Sequence, residues 1–408
     1  MANLMSQIVD CTPMLDASPL ASEALRAQFP ALSAGGRVYL DNPGGTQVHR
    51  SVVEAVTGYL VDTNANLGGP FETSRASDEM LERARAEVGA FFGAGDEYEV
   101  VFGANMTTLT LHVARSLSRD WSDADDVLVT GLDHDGNVAP WMLAAHDHGA
   151  RVLQAGIDLD RCLIDVDDFA AKLTGHTRVA AFGWASNGAG TVNDVAALVG
   201  HAREAGALSY VDAVQYAPHG TIDVSALGCD FLVCSAYKFF GPHVGVLLAR
   251  RELLERFRPY KVRPASNEPP SSWETGTINL EGIAGTAAAV RYLQELGMER
   301  MVAYESRLTE RLLDGLGSIA GVTVYGTTEL HRRVPTVTFN VAERAPADVA
   351  AYLGDHGVFV WDGNYYAYEL MQRLGLEESG GAVRVGAAHY NTFEEIDRFL
   401  ELVAAVAG

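Results

Sequence analysis

The sequence predicts an α/β protein. A large domain on a mainly parallel seven-stranded sheet is followed by a smaller α+β C-terminal domain. Three observations predict this. From about Glu97 to Arg250, short β-rich runs alternate with helical stretches; such alternation needs crossover connections, which build parallel, covered sheets. The runs DFLVCS and VGVLLA lack the in–out alternation of a half-exposed strand and so read as strands buried on both faces. A Pro- and Ser-rich stretch, RPYKVRPASNEPPSSWETG, then interrupts the pattern, and the order of elements changes beyond it. The length, 408 residues, also exceeds what one simple core accommodates. The resulting boundaries are 35–265 for the large domain, with 1–34 and 266–408 forming the small one.

In chain order, the strands of the large domain are YEVVF, DVLVTG, RVLQA, RVAAFG, ALSYVD, DFLVCS and VGVLLA. The stretches after the first five read mostly as helices or their starts. Past the boundary, two long helical stretches (Ile283 to Leu296 and Glu299 to Leu316) precede the strand-like VTVYG, PTVTFNV and VFVW. Thr392 to Val406 reads as a closing amphipathic helix. The N-terminal thirty-odd residues are expected to pack on the small domain.

Composition narrows the partners. A formal net charge of −23 repels nucleic acid and anionic membranes, so neither is expected as a partner. An anionic cofactor must then be gripped by locally aimed donors. The four cysteines, Cys11, Cys162, Cys229 and Cys234, form no CxxC pair. A disulfide framework is implausible in a chain of this length, a reducing cytoplasm is expected, and no metal site is read. The N-terminus lacks a basic start followed by a long apolar run, so no secretion signal is expected. No segment reaches the roughly 18 unbroken apolar residues of a membrane span. Neither GxxxxGK[ST] nor a GxGxxG opening a helix after the first strand is present, which argues against a P-loop or dinucleotide binder.

In open α/β sheets ligands sit outside the carboxyl ends of the strands. ALSYVD ends on Asp212. DFLVCS leads through Ser235, Ala236 and Tyr237 to Lys238, 26 residues later. A carboxylate and a lysine at two strand ends can meet over one pocket. Pyridoxal phosphate (PLP) needs this pair: an amine to hold its aldehyde, and an acid to keep its pyridine nitrogen protonated as an electron sink. Burial beside a cationic ring would ease deprotonation of Lys238, which could then move a proton at the substrate Cα.

The stretch VDAVQYAPHGTIDVSALGCDFLVCSAYKFFGPHVGVLLA resembles the PLP-lysine region of class V aminotransferases, especially their cysteine desulfurase and selenocysteine lyase branch. VYLDNPGGTQ, VVFGANMTTLTLHVA, LDHDGNVAPW, ASNGAGTVNDV, WETGTINLEGIAG and VRVGAAHYNTFEEID extend the resemblance over nearly the whole chain. It implies the PLP-dependent transferase fold of type I and a set of roles. His134 would stack on the PLP ring, Asp212 would pair with the pyridine nitrogen, and Gln215 would donate to the ring's phenolic oxygen. Asn187 would lie near that oxygen and the substrate carboxylate. Met106 (through its backbone N–H), Thr107 and Ser235 would cup the phosphate. Tyr237 replaces a histidine common before the lysine and would be a cofactor-pocket residue. Thr277 would be a phosphate contact lent by a second subunit, implying a homodimer with shared sites. Arg384 would fork onto the substrate α-carboxylate.

The resemblance fails on the substrate side. Cysteine desulfurases carry a nucleophilic cysteine on a mobile loop of the small domain. The matching stretch here, GVFVWDGNYYAYELMQRLGL, places Tyr366 at that position and Trp361 where an arginine is common. Tyrosine cannot form a persulfide. The implied function is a PLP enzyme acting on an amino acid without a protein persulfide, through C–S lyase (β-elimination) or transaminase chemistry. Epimerisation of the isopenicillin epimerase type and a non-catalytic PLP-fold binding protein stand as alternatives, and Trp361 and Tyr366 as candidate substrate contacts.

Overall fold

Residues 20–33 and 35–408 are described in a computed structural model; the expectation for the N-terminal tail falls largely outside them. All seven expected runs form one sheet. Its order is Tyr98–Gly103, Gly245–Arg250, Phe231–Ser235, Leu208–Asp212, Thr177–Gly183, Asp126–Thr130, Arg151–Ala155. Every pairing is parallel except those of Gly245–Arg250, which is antiparallel to both neighbours. That strand follows Phe231–Ser235 after only a short turn, too short for the crossover that parallel pairing requires. The first five strands lead into the helices Met106–Leu117, Ala139–His148, Val166–Lys172, Val195–Ala205 and Val224–Leu227. The inner strands Phe231–Ser235 and Asp126–Thr130 are buried at every position, consistent with a sheet covered on both faces.

Two helices of the large domain went unread in the sequence: Arg50–Gly58 and Glu72–Phe91. Both pack against Leu280–Leu296, which buries twelve of its residues, six of them alanine or glycine before Val290. Small residues allow this approach: a Cβ on Gly285 would come within 2.8 Å of Val56. The helix therefore joins the large core, although the sequence boundary assigns it to the small domain. A break at Gly297 (φ +87°) separates it from Met298–Ser318. There Met301, Leu308, Leu312 and Leu316, spaced at helical intervals, are buried.

The second sheet has four antiparallel strands in the order Val322–Tyr325, Thr336–Val341, Ala382–Gly386, Trp361–Gly363. The run VFVW is divided. Val358–Phe359 pairs in parallel with Val38–Tyr39, while Trp361 opens the edge strand beside Ala382–Gly386. Residues 38–41 thus lean on the small domain, with Asp41 bridging to Gly386. Leu20 joins the same core. The closing helix Phe393–Ala407 starts with a capping box between Thr392 and Glu395. Among the described residues, no helix is long and apolar enough to cross a membrane.

Candidate active site

The carboxyl ends of the parallel strands open into a cleft of about 790 Å³. Leu208–Asp212 delivers Asp212 to its floor. Phe231–Ser235 delivers Ser235, and the single tight turn Ala236–Lys238 carries Lys238 in beside it. The backbone then reverses at Phe240, whose φ of +67° is held by its N–H donating to Thr46 Oγ1 at 2.8 Å. Ten of the thirteen residues singled out in the sequence line this one cleft: Met106, Thr107, His134, Asn187, Asp212, Gln215, Ser235, Tyr237, Lys238 and Tyr366.

The other three lie elsewhere. Arg384 sits just behind the wall, 5% exposed. Its Nη1 donates to the Asn187 carbonyl at 3.0 Å, its Nη2 lies 3.6 Å from Asp41, and its guanidinium lies 4.5 Å from the Tyr365 ring. Its Nε and Asp41 Oδ1 have no hydrogen-bond partner. Thr277 is exposed and lines a separate hollow with His112, Trp273 and Thr275. Trp361 is 57% exposed and lines a shallow hollow on the outer side of the loop that carries Tyr366.

That loop is pinned rather than free. Tyr365 and Tyr366 both take left-handed backbone angles (φ +53° and +62°), costly for aromatic residues. The Asp135 N–H donates to the Tyr366 carbonyl at 2.7 Å, and Asn187 Nδ2 donates to the Tyr365 carbonyl at 2.7 Å. The Tyr366 ring lies over His134, with centroids 5.3 Å apart and planes inclined by 26°. Tyr237 stacks on His243.

Burial, helped by Arg384, lowers Lys238 to about 7, with Asp41 and Asp212 opposing. Its Nζ donates to the carbonyls of Pro43 and Gly44. Gln215 also donates to Pro43, at 2.9 Å. Burial raises Asp212 to about 6, against the Val214 N–H that donates to its Oδ1 at 2.8 Å. Burial and the charges of Lys238 and Arg384 lower His134 to about 4. Its Nδ1 accepts the Gly136 N–H at 2.9 Å, which leaves the proton of the neutral ring on Nε2.

Three site residues escaped the sequence reading. Asp133 is fully buried against Asp212 and accepts the Gly183 N–H at 2.8 Å; burial and then Asp212 raise it to about 8. The only available signal was its place directly before His134 at a strand end. Asp41 and His243 stood inside or beside quoted motifs, but a lone residue of either type carries no signal of its own.

These donors fit PLP. Asp212 accepts one hydrogen bond and touches no cation, an arrangement completed by a protonated ring nitrogen. Lys238 faces carbonyls rather than a carboxylate, leaving its amine free of an ion pair. At the other end of the cleft, Ser235, Thr107 and the start of the twelve-residue helix Met106–Leu117 converge, as a phosphate requires. In this structure the Met106 N–H donates to Ser235 Oγ at 2.9 Å, so both belong to that end.

Comparison with known proteins agrees with this geometry. The chain is 32% identical to a cysteine desulfurase of Pectobacterium atrosepticum, over 93% of the chain and 96% of that protein. It is 32% identical to a probable cysteine desulfurase of Mycolicibacterium paratuberculosis, over 94% of the chain but 58% of that longer protein. The apo structure of a cysteine desulfurase from Thermococcus onnurineus NA1 superposes with a TM-score of 0.89 at 30% identity, covering 95% of this chain and 98% of that one. The profile of the family Aminotransferase class-V matches residues 38–399, and the chain accordingly belongs to that family of PLP-dependent enzymes.

Proposed function

We propose that this enzyme cleaves a β-carbon–sulfur bond of an amino acid by elimination and releases the sulfur directly to solution. The observation that carries the reading is the loop over the cleft. A tyrosine, Tyr366, occupies its inner face, and Cys162, Cys229 and Cys234 are all buried away from the cleft. Relatives are cysteine desulfurases, which supports a sulfur-bearing substrate.

Lys238, Asp212, Gln215, Ser235 and Thr107 would hold PLP, which would supply an electron sink for the substrate's Cα. Asp212 keeps that sink cationic. His134, neutral and tethered through Gly136, supports the ring face without adding charge. Arg384, with Asn187 beside it, grips the α-carboxylate and orients the Cα–H bond. Lys238 is poised near neutrality to take the Cα proton. The C–S bond then breaks with its electron pair leaving on sulfur, which departs as a thiol. Hydrolysis gives a 2-keto acid and ammonia. Tyr366, 69% exposed, closes the outer side of the substrate position, with Trp361 at the loop's far edge.

Thr277 lines a hollow beside its own cleft rather than the cleft itself; in the homodimer proposed here it would serve the partner's phosphate site. The division at 35–265, with 1–34 and 266–408 as the small domain, is kept as a functional boundary, amended by the helix Leu280–Leu296 and by residues 38–41.

The test is product analysis of the PLP-loaded protein with L-cysteine. Sulfide, pyruvate and ammonia in equal amounts are expected, with no sulfur left on protein. Alanine accompanied by a protein-bound persulfide would refute the reading. Keto acid formed without ammonia would move the assignment to transamination. Tyr366→Cys puts a thiol at the mouth; its thiolate can attack the substrate sulfur directly, forming a persulfide while the C–S electron pair stays on carbon, so alanine is expected to replace part of the pyruvate in step with protein-bound sulfur.

A further inference from the structure

A carboxylate outside the cleft joins its two walls. Glu305, on the helix Met298–Ser318, is 2% exposed. His219 Nδ1 donates to its Oε2 at 2.7 Å, and the backbone N–H of His389 donates to its Oε1 at 2.9 Å. His219 stands four residues beyond Gln215, in a turn closed by Ala217 N–H to Ala213 and by His219 N–H to Tyr216, both at 2.8 Å. His389 stands five residues beyond Arg384, on the segment leaving the strand Ala382–Gly386. One buried anion therefore bonds the turn after Asp212 and Gln215 to the segment after Arg384. The tie continues from His389 Nε2 to the Tyr292 hydroxyl at 2.6 Å, and the Tyr292 ring stacks on His49 with centroids 4.0 Å apart.

Arg384 itself is weakly tethered. It has one carbonyl on the large domain at hydrogen-bond distance, an Asp41 carboxylate at 3.6 Å and an unused Nε. Its place behind the cleft wall depends on how the small sheet is held against the large one. Simple packing at position 305 calls for an apolar side chain, as at Met301 and Leu308 on the same face. A carboxylate there is costly to bury unless both of its partners stay in place, and this makes it specific for one arrangement of the two domains. We infer that Glu305 is a positioning residue: through His219 and His389 it sets Arg384 at the height and angle needed to receive a substrate carboxylate. The inference rests on the assignment of Arg384 proposed above.

The test uses the PLP-loaded protein and two small nucleophiles that displace Lys238 from PLP and change the visible spectrum. Aminooxyacetate carries a carboxylate; O-methylhydroxylamine does not. The ratio of their second-order rate constants reports carboxylate recognition, independently of PLP loading and of the amount of folded protein. Arg384→Met is expected to abolish the preference for aminooxyacetate. Glu305→Gln is expected to lower it about tenfold, since small displacements of a positioning group have effects of this order, with the O-methylhydroxylamine rate nearly unchanged. In the PLP-free protein, amide hydrogen exchange over 387–391 is expected to quicken. An unchanged ratio and unchanged exchange in folded Glu305→Gln overturn the inference while leaving the Arg384 assignment intact. An unchanged ratio in Arg384→Met overturns that assignment first, and this inference with it. Should Glu305→Gln fail to fold, His219→Gln is read in the same assays against the same outcomes.

Discussion

The depressed basicity of Lys238 makes a quantitative prediction. An ordinary lysine near 10.5 is neutral in roughly one molecule per thousand at pH 7.5, whereas one near 7 is neutral in roughly three of four. The fully formed cleft is therefore expected to present an amine whose reactive fraction is about 10³-fold that of a surface lysine. Capture of PLP by the PLP-free protein, followed by stopped-flow absorbance, is expected to accelerate about tenfold per pH unit below 7 and to level off above it. Dividing each rate by that of a model amine at the same pH removes the ionisation of PLP itself. Because Arg384 is the second cause of the lowering, Arg384→Met is expected to move the midpoint upward; because Asp41 opposes it, Asp41→Asn is expected to move it down. A rate that keeps climbing to pH 9 in the unmodified protein, or a midpoint indifferent to both substitutions, would refute the account of Lys238 as a desolvated amine.

Asp212→Asn removes the acid proposed to face the ring nitrogen; PLP retention with turnover reduced by about 10²- to 10³-fold is expected, and near-normal rates would exclude that role. Asp133 and Asp212 stand at about 8 and about 6 in the fold, against 3.8 ordinarily. Raised acids lend stability that is complete below the ordinary value and lost as pH rises through the folded one. Their contribution is thus expected to fade between about pH 4 and 8, opposed by His134, whose lowering to about 4 acts the other way; in urea titrations of the PLP-free forms the unmodified protein is expected to lose stability relative to Asp133→Asn as pH rises through that range. Glu274 binds Arg85 through two bonds of 2.9 and 2.8 Å and also accepts the Phe102 N–H at 2.9 Å, all buried. Glu274→Ala strands the guanidinium and is expected to cost about 3–5 kcal/mol in denaturant unfolding; a loss below about 1 kcal/mol would contradict the burial argument.

The large sheet was legible because its central strands are apolar on both faces, a pattern that survives without any knowledge of neighbours. The helix Glu72–Phe91 was not, because its buried face is built from Ser74, Ser77, Ala84 and Arg85 as well as Leu81 and Val88, which blurs the apolar stripe. The strand Ala382–Gly386 hid for a related reason: Arg384 sits mid-strand, and only its contacts with Asn187 and Asp41 make that burial tolerable. Lys238 and Asp212 were legible because strand ends in such sheets point at ligands. Asp133 and Asp41 were not, since an acid near a strand end looks like a cap until the fold brings it beside another charge. The Tyr365–Tyr366 geometry was also out of reach: tyrosine seldom adopts left-handed angles, and nothing local announces that it does so twice.

The path of residues 38–47 has one more consequence. This short segment adds a parallel strand beside Val358–Phe359, bridges to Gly386 through Asp41, and then turns its Pro43 and Gly44 carbonyls toward the amine of Lys238. The same Pro43 carbonyl accepts from Gln215, and Thr46 donates to the Tyr237 carbonyl, so the segment is fastened to the large domain at its far end. One short stretch of chain thus links the seat of the Lys238 amine to the edge of the small sheet.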